Sequence, residues 1–271
     1  MSEKTYQRVL TIAGSDSGGG AGIQADLKTF AANGCYGMSV ITALTAQNTL
    51  GVTGIHPVPV AFVEQQLDAV LGDIGADAIK VGMLYSAELI AAVARKLKEY
   101  DAQQIVLDPV MVAQGGDKLL RDDAVEALKV HLFPLAELIT PNLPEAEVLL
   151  GRKIAGREEM AAAASDLLHW GSRHVLVKGG HAEGHDSEDV LVASGGGEAT
   201  WFGGTRVTTR NTHGTGCTLS SAIAANLAQG APVPDAVKKA RDYIQQAIRA
   251  GAVYRIGHGH GPVHHFWPFW E

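Results

Sequence analysis

The run Asn211-Thr212-His213-Gly214-Thr215-Gly216-Cys217-Thr218-Leu219-Ser220 carries a Gly-Thr-Gly turn straight into a small-residue helical pattern that continues to Ala228. A helix start leaves backbone N–H groups without intrahelical partners and holds the positive end of the helix dipole, so donors converge where negative charge can sit. Cys217 falls in the first turn, where the same field is expected to lower a thiol pKa. An anion cradle beside a potential base suits transfer of a phosphoryl group onto a hydroxyl. A glycine-rich helix start with a packed cysteine would be spelled the same way, and the motif alone leaves both open.

Other chemistry-bearing residues recur just after short apolar runs. Val9 to Ala13 is followed by Gly14-Ser15-Asp16-Ser17-Gly18-Gly19-Gly20-Ala21-Gly22, whose glycines allow close backbone approach to a ligand. No Gly-Lys-Ser/Thr follows, so this is not a Walker A loop. Asp26 lies one helical turn on, as a ligand contact or a solvated carboxylate. Asp108-Pro109-Val110 and Thr140-Pro141-Asn142-Leu143-Pro144-Glu145 supply the hard oxygens that nucleotide-bound Mg²⁺ takes, usually through waters. Glu145 would equally be favoured at a helix N-terminus by the dipole alone. Lys178-Gly179-Gly180-His181 sets a cation beside a flexible turn, to meet phosphate or to stand as a surface charge.

The elements that must position these residues follow from periodicity. Strands are predicted at Val9 to Ala13, Ser39 to Leu44, Ala78 to Leu84, Gln104 to Leu107, Leu138 to Thr140 and His174 to Val177. Helices are predicted at Gly22 to Asn33, Pro59 to Gly72, Ser86 to Tyr100, Asp122 to Leu132, Pro144 to Leu150, Arg157 to Trp170, Gly216 to Gln229 and Pro234 to Tyr254. Several strands are apolar throughout, as when helices cover both sheet faces. Asp189 to Ala193 and Ala199 to Phe202 flank a triple-glycine turn and read as an edge hairpin. The expectation is a three-layer α/β design, in which ligands bind beyond the carboxyl ends of parallel strands.

Length and composition narrow the function classes. The chain has 271 residues with no linker at which to divide it, so one domain spanning all of them is expected. Hydrophobic residues at 46% exclude disorder, and a net charge of −7 argues against a nucleic-acid partner. The N-terminal residues are polar and no apolar run reaches membrane-spanning length, so no membrane partner is expected. Cys35 and Cys217 build no disulfide framework, which points to the cytoplasm. His181 and His185 lie in a glycine-containing loop, and the tail from Gly257 to His265 is too rich in glycine to preorganise a metal site. That tail, with Phe266, Trp267, Phe269 and Trp270, is expected to anchor on the body or on a partner subunit.

In order and spacing the strand-end motifs resemble the ribokinase superfamily over nearly the whole chain, and most closely its hydroxymethylpyrimidine/phosphomethylpyrimidine kinases. The marks are Ala13 to Asp26, Thr45-Ala46-Gln47-Asn48-Thr49, Lys80-Val81-Gly82-Met83, Asp108-Pro109-Val110, Thr140-Pro141-Asn142, Val177 to His181 and Asn211 to Cys217. The resemblance implies a ribokinase-like three-layer α/β/α fold with a central, mostly parallel sheet. It implies an ATP- and Mg²⁺-dependent kinase acting on a small aminopyrimidine alcohol and then on its monophosphate, in a homodimer.

Carried onto matching positions, Gly214, Thr215 and Gly216 form an anion hole, and Cys217 stands where most of the superfamily has an aspartate base. Gln47, with an amide donor and acceptor, would read the aminopyrimidine edge. Ala21, Met83 and Val110 would wall the ring, with Gly14 and Asp26 as lesser substrate contacts. Asn142, Lys178 and Thr212 fall on the nucleotide side, Asp108 and Glu145 with the metal, and Thr205 to Asn211 as a flap over ATP. The alternatives are a pyridoxal kinase of the same superfamily, a thiol hydrolase using Cys217 and His213, and a pyrimidine-binding sensor without turnover.

Overall fold

The computed structural model describes residues 4–111, 122–180 and 186–270; His181 and His185 lie outside them. In chain order the elements are β1 (Arg8–Asp16), α1 (Gly22–Ala32), β2 (Tyr36–Asn48), β3 (Gly51–Pro57), α2 (Val60–Asp73), β4 (Ala78–Val81), α3 (Ala87–Glu99) and β5 (Ile105–Leu107). There follow α4 (Asp122–Ala127), β6 (Leu138–Ile139), α5 (Leu143–Leu150), α6 (Gly156–Leu168), β7 (His174–Lys178), β8 (Asp186–Ala193), β9 (Thr200–Thr205), α7 (Thr215–Ala228) and α8 (Val233–Gly251). After α4 the helix widens into a π turn and closes in a 3₁₀ turn at Phe133–Leu135, where Pro134 withdraws a backbone donor.

The strands form one sheet in the order β3-β2-β1-β4-β5-β6-β7-β8-β9. The interior pairs from β2 to β7 are parallel, while β3 and the β8–β9 hairpin add antiparallel edges. Successive residues of one strand serve opposite cores. Leu10, Ile12, Ile79, Val81, Ile105 and Leu107 pack with α2 to α6, whereas Val9, Ala78, Val106, Leu138 and Leu176 pack with α1, α7 and α8. This is the α/β/α sandwich expected from strands apolar on both faces.

Several boundaries differ from the periodic reading, and three bear on the site: β1 runs three residues past Ala13, so that Gly14, Ser15 and Asp16 belong to it. The strand predicted at Ser39–Leu44 runs on to Asn48, so Gln47 lies inside β2 instead of after it. Its second half pairs with β3, an edge strand that periodicity does not reveal because Gly51 to Pro57 alternates no buried face. Conversely, the run Ala78–Leu84 forms a strand only to Val81, and Gly82 to Leu84 continue as buried loop.

Candidate active site

Beyond the carboxyl ends of β1, β4, β5, β6 and β7 lies a cleft of about 960 Å³. The Gly214–Cys217 turn sits on its rim because α7 begins there. Gly214 is the N-terminal cap at φ +80°, and a Cβ at that position would collide with the Gly20 carbonyl oxygen. Only glycine accommodates that conformation and that close approach together. The turn is closed by Thr215 N–H donating to the Thr212 carbonyl (3.3 Å) and Thr218 N–H to the Gly214 carbonyl (2.9 Å). The next donors, on Gly216 and Cys217, lie in the first turn of a fourteen-residue helix, at the positive end of its dipole.

Cys217 departs from the expectation for a thiol at a helix start. Burial pushes it up to about 11, against the lowering by Lys80 and by the Gly22 N–H, with Asp26 and Asp108 adding to the rise. Desolvation outweighs the dipole here, so the group is a thiol at neutral pH.

Asp26 also departs from its expected place. It does not line the cleft: it is wholly buried, bonded by Lys80 Nζ (2.9 Å), Thr11 Oγ1 (2.7 Å) and Ser221 Oγ (2.7 Å). Its carboxylate is a fastener between β1, β4 and α7.

Beside Gly216, Lys178 at the end of β7 donates to Asp108 Oδ1 (2.8 Å), which also accepts from Thr140 Oγ1 (3.1 Å). Burial pushes the Asp108 carboxyl up, but the charges of Lys178 and Lys80 and the bonds from Lys178 and Thr140 outweigh it and hold it below the usual carboxylate range. Asn142 caps α5 through the Glu145 N–H, and Glu145 returns a bond to the Asn142 N–H, each at 2.8 Å. Burial pushes Glu145 up to about 7, Lys178 pulling it down and Asp108 pushing it further up. The capping role and the place in the cleft coexist. Among the described residues no group of three or more His, Cys, Asp or Glu side chains is set to hold a metal unaided.

Gln47 lines the same cleft with Gly14, Ala21, Met83 and Val110, and its carboxamide lies 3.4 Å from His213 Nε2. Its backbone is clamped by Ser17, whose hydroxyl donates to the Gln47 carbonyl and accepts from its N–H, both at 2.8 Å. Thr212 and Thr205 to Thr209 line the remaining side, but Asn211 turns away to donate to the Gly251 and Tyr254 carbonyls. The tail does pack on the body: Gly261 accepts from His213 N–H (3.0 Å), and buried His265 Nε2 lies 3.1 Å from Thr218 Oγ1.

Two features escaped the sequence reading. Asp16 accepts from Gly18, Gly20 and Ala21 N–H groups and from His213 Nε2 (2.9 Å), so one carboxylate joins the glycine-rich loop to the anion turn. Lys80 lines the cleft while fully buried, and a Cβ at Gly82 would lie 2.6 Å from its Nζ. The Lys-x-Gly spacing at the end of a predicted strand was a legible signal for the second; nothing local signals the Asp16–His213 pair, whose members are about two hundred residues apart.

Comparison with known proteins agrees with this geometry. The family model described as phosphomethylpyrimidine kinase matches residues 16–264. A hydroxymethylpyrimidine/phosphomethylpyrimidine kinase from Rhizobium meliloti is 53% identical over 97% of this chain and 98% of its own length. The thiamine biosynthesis bifunctional protein ThiED from Geobacter sulfurreducens is 57% identical over 95% of this chain, which spans 52% of that longer protein. Among solved structures, a pyridoxal kinase from Staphylococcus aureus in complex with AMP-PCP and pyridoxal superposes with a TM-score of 0.89 at 35% identity, covering 98% of this chain and 96% of that one.

Proposed function

The chain belongs to the phosphomethylpyrimidine kinase family, and on that premise we propose how its cleft phosphorylates 4-amino-5-hydroxymethyl-2-methylpyrimidine and then the monophosphate, in thiamin biosynthesis. The activity is that of a phosphotransferase. The observation that carries the reading is that one cleft is lined by both the Gly214–Cys217 turn and the Gln47 side chain, whose carboxamide lies 3.4 Å from His213 Nε2, just before the turn. A hydroxymethylpyrimidine whose amino edge meets Gln47 presents its alcohol toward the anion turn.

ATP is the proposed donor, with its base beside Val207, Leu219, Ile244 and Ile248 and its phosphates reaching Lys178 and Asn142. The substrate oxygen bonds to the γ-phosphorus as the bond from that phosphorus to the β-bridging oxygen breaks. Charge on the moving group is met by the N–H groups of Gly216 and Cys217 and by the Lys178 ammonium. With the thiol pushed up to about 11, Cys217 enters the reaction protonated. In a loose transition state the alcohol loses its proton late, so the role of Cys217 is to hold the hydroxyl by hydrogen bonding more than to deprotonate it first.

Asp108 and Glu145 fit a Mg²⁺ ion held mainly through phosphates and waters: two buried carboxylates press on each other with Lys178 between them, and Glu145 is short of counter-charge. The ion would neutralise the phosphate oxygens when bound. A homodimer and a cytoplasmic location belong to the same proposal. Leu44, Leu50, Ile55 and Phe62 leave apolar surface exposed near the β3 edge, and no helix among the described residues is long and apolar enough to cross a membrane.

The test is incubation with ATP and Mg²⁺ against hydroxymethylpyrimidine, its monophosphate and pyridoxal separately, with products followed by mass spectrometry. Pyrophosphate formed from the monophosphate is the expected result. Turnover of pyridoxal alone would move the assignment to a pyridoxal kinase.

A further inference from the structure

Gln47 can read an aminopyrimidine edge only if its carboxamide is prevented from turning over, because oxygen and NH₂ exchange places on a half-turn of the amide. Two neighbours touch its ends. The terminus placed as Oε1 lies 3.0 Å from Thr45 Oγ1, and the terminus placed as Nε2 lies 3.4 Å from His213 Nε2.

The chemistry of each neighbour fixes what must face it. Thr45 has one hydroxyl hydrogen, and the Ser15 carbonyl, which can only accept, lies 2.9 Å away and takes it. Toward Gln47 the Thr45 oxygen therefore offers a lone pair, and the amide end beside it must be NH₂. At the other end, His213 Nε2 lies 2.9 Å from Asp16 Oδ2. Three backbone N–H bonds to Asp16 require an acceptor carboxylate, so His213 Nε2 carries a hydrogen, whether the ring is neutral or protonated. It has no lone pair for an amide N–H, so an NH₂ there would set N–H against N–H, and the Gln47 end beside it must be oxygen, sharing at 3.4 Å the hydrogen that points at Asp16. Two unrelated neighbours thus demand the same orientation, the reverse of the placed one.

We infer that the Asp16–His213 pair and Thr45 lock the Gln47 carboxamide with its oxygen toward His213 and its NH₂ toward Thr45, and that this lock sets which pyrimidine edge the cleft accepts. One N–H and one lone pair of the amide remain for a ligand. A 4-aminopyrimidine edge offers a ring-nitrogen acceptor beside an amino donor. The 4-oxo analogue offers an N–H donor beside a carbonyl acceptor, the same pair reversed. A free carboxamide serves both by turning over, whereas a locked one leaves buried polar groups mismatched against the wrong edge. Asp16 and His213 are positioning residues for Gln47. The inference rests on Gln47 being the substrate reader.

The test compares kcat/KM for 4-amino-5-hydroxymethyl-2-methylpyrimidine with that for its 4-oxo analogue in the wild-type chain and four variants. His213→Leu removes the donor, His213→Gln restores a nitrogen that can bridge Asp16 and the Gln47 oxygen, Thr45→Val unlocks the other end, and Gln47→Leu removes the reader. The amino-over-oxo ratio is expected to fall by about ten-fold or more in His213→Leu and in Thr45→Val, and to recover in His213→Gln. A structural injury alone lowers both rates and leaves the ratio in place; an unchanged ratio in both unlocking variants overturns the lock. Thr45→Val also answers the question if His213→Leu does not fold. If Gln47→Leu leaves the ratio unchanged, the reading of Gln47 itself falls and takes the lock with it; if Gln47→Leu collapses the ratio while the unlocking variants do not, only the lock falls.

Discussion

Asp26 and Lys80 meet at 2.9 Å with neither side chain reached by solvent. The carboxylate also takes the hydroxyls of Thr11 and Ser221, so β1, β4 and α7 share one ionic fastener directly beneath the anion turn.

Removing one member of such a pair strands a buried charge. Lys80→Met is expected to cost about 3–5 kcal/mol, whereas Lys80→Met with Asp26→Asn recovers most of it because no buried charge is left, the amide oxygen still accepts from one of the Thr11 and Ser221 hydroxyls and its NH₂ can donate to the other. Urea denaturation followed by circular dichroism measures both. A double variant no more stable than the single one would show that the strands are tied by something else.

The elevated Cys217 thiol makes a second prediction. Alkylation by iodoacetamide, read on the peptide carrying Cys217, should rise roughly ten-fold per pH unit above neutrality and level off near pH 11. A plateau near the ordinary thiol pKa of about 8.5 contradicts the burial argument. Cys217→Ser, which keeps a hydroxyl able to hydrogen-bond the substrate alcohol, should retain measurable turnover.

His265 supplies a pH dependence of stability. Burial, followed by the nearby charges of Lys28 and His264, depresses it to about 3, so it is neutral in the folded protein. Between its ordinary pKa of about 6.5 and that value the unfolded chain binds a proton that the folded chain refuses. Stability is therefore held above pH 6.5 and lost on acidification, by up to about 1.4 kcal/mol per pH unit from this group. His265→Gln should flatten that slope in thermal melts taken from pH 7 to pH 4; an unchanged slope refutes the assignment.

Gly214→Ala tests the anion turn. A Cβ at φ +80° meets the Gly20 carbonyl, so the turn must shift and its donors lose their aim. The expected loss in kcat is about 10²–10³-fold. Retention of full kcat would mean that the Gly216 and Cys217 donors do not meet the moving charge.

Much of this protein was legible in its sequence. Uninterrupted apolar strands such as Val175 to Val177 require helices on both faces, and that follows from local chemistry wherever a strand is too apolar to meet water. The motifs announced their own places, since Asp108, Asn142 and Lys178 fall just beyond strands that periodicity finds and Gly214 to Cys217 open a helix that it finds, and all of them line the cleft. What the tertiary structure decided was the environment of each group. Asp26 reads as a helix carboxylate until Lys80, from a strand fifty-four residues away, seals it in the core. Cys217 has the dipole that its place in the sequence promises, but burial among Lys80, Asp26 and Asp108 pushes its thiol up instead of down. Gln47 sits in a recognisable motif, yet its orientation depends on His213 and Asp16, brought together from opposite ends of the chain. Periodicity is a property of neighbours in sequence; desolvation and hydrogen-bond complementarity belong to neighbours in space.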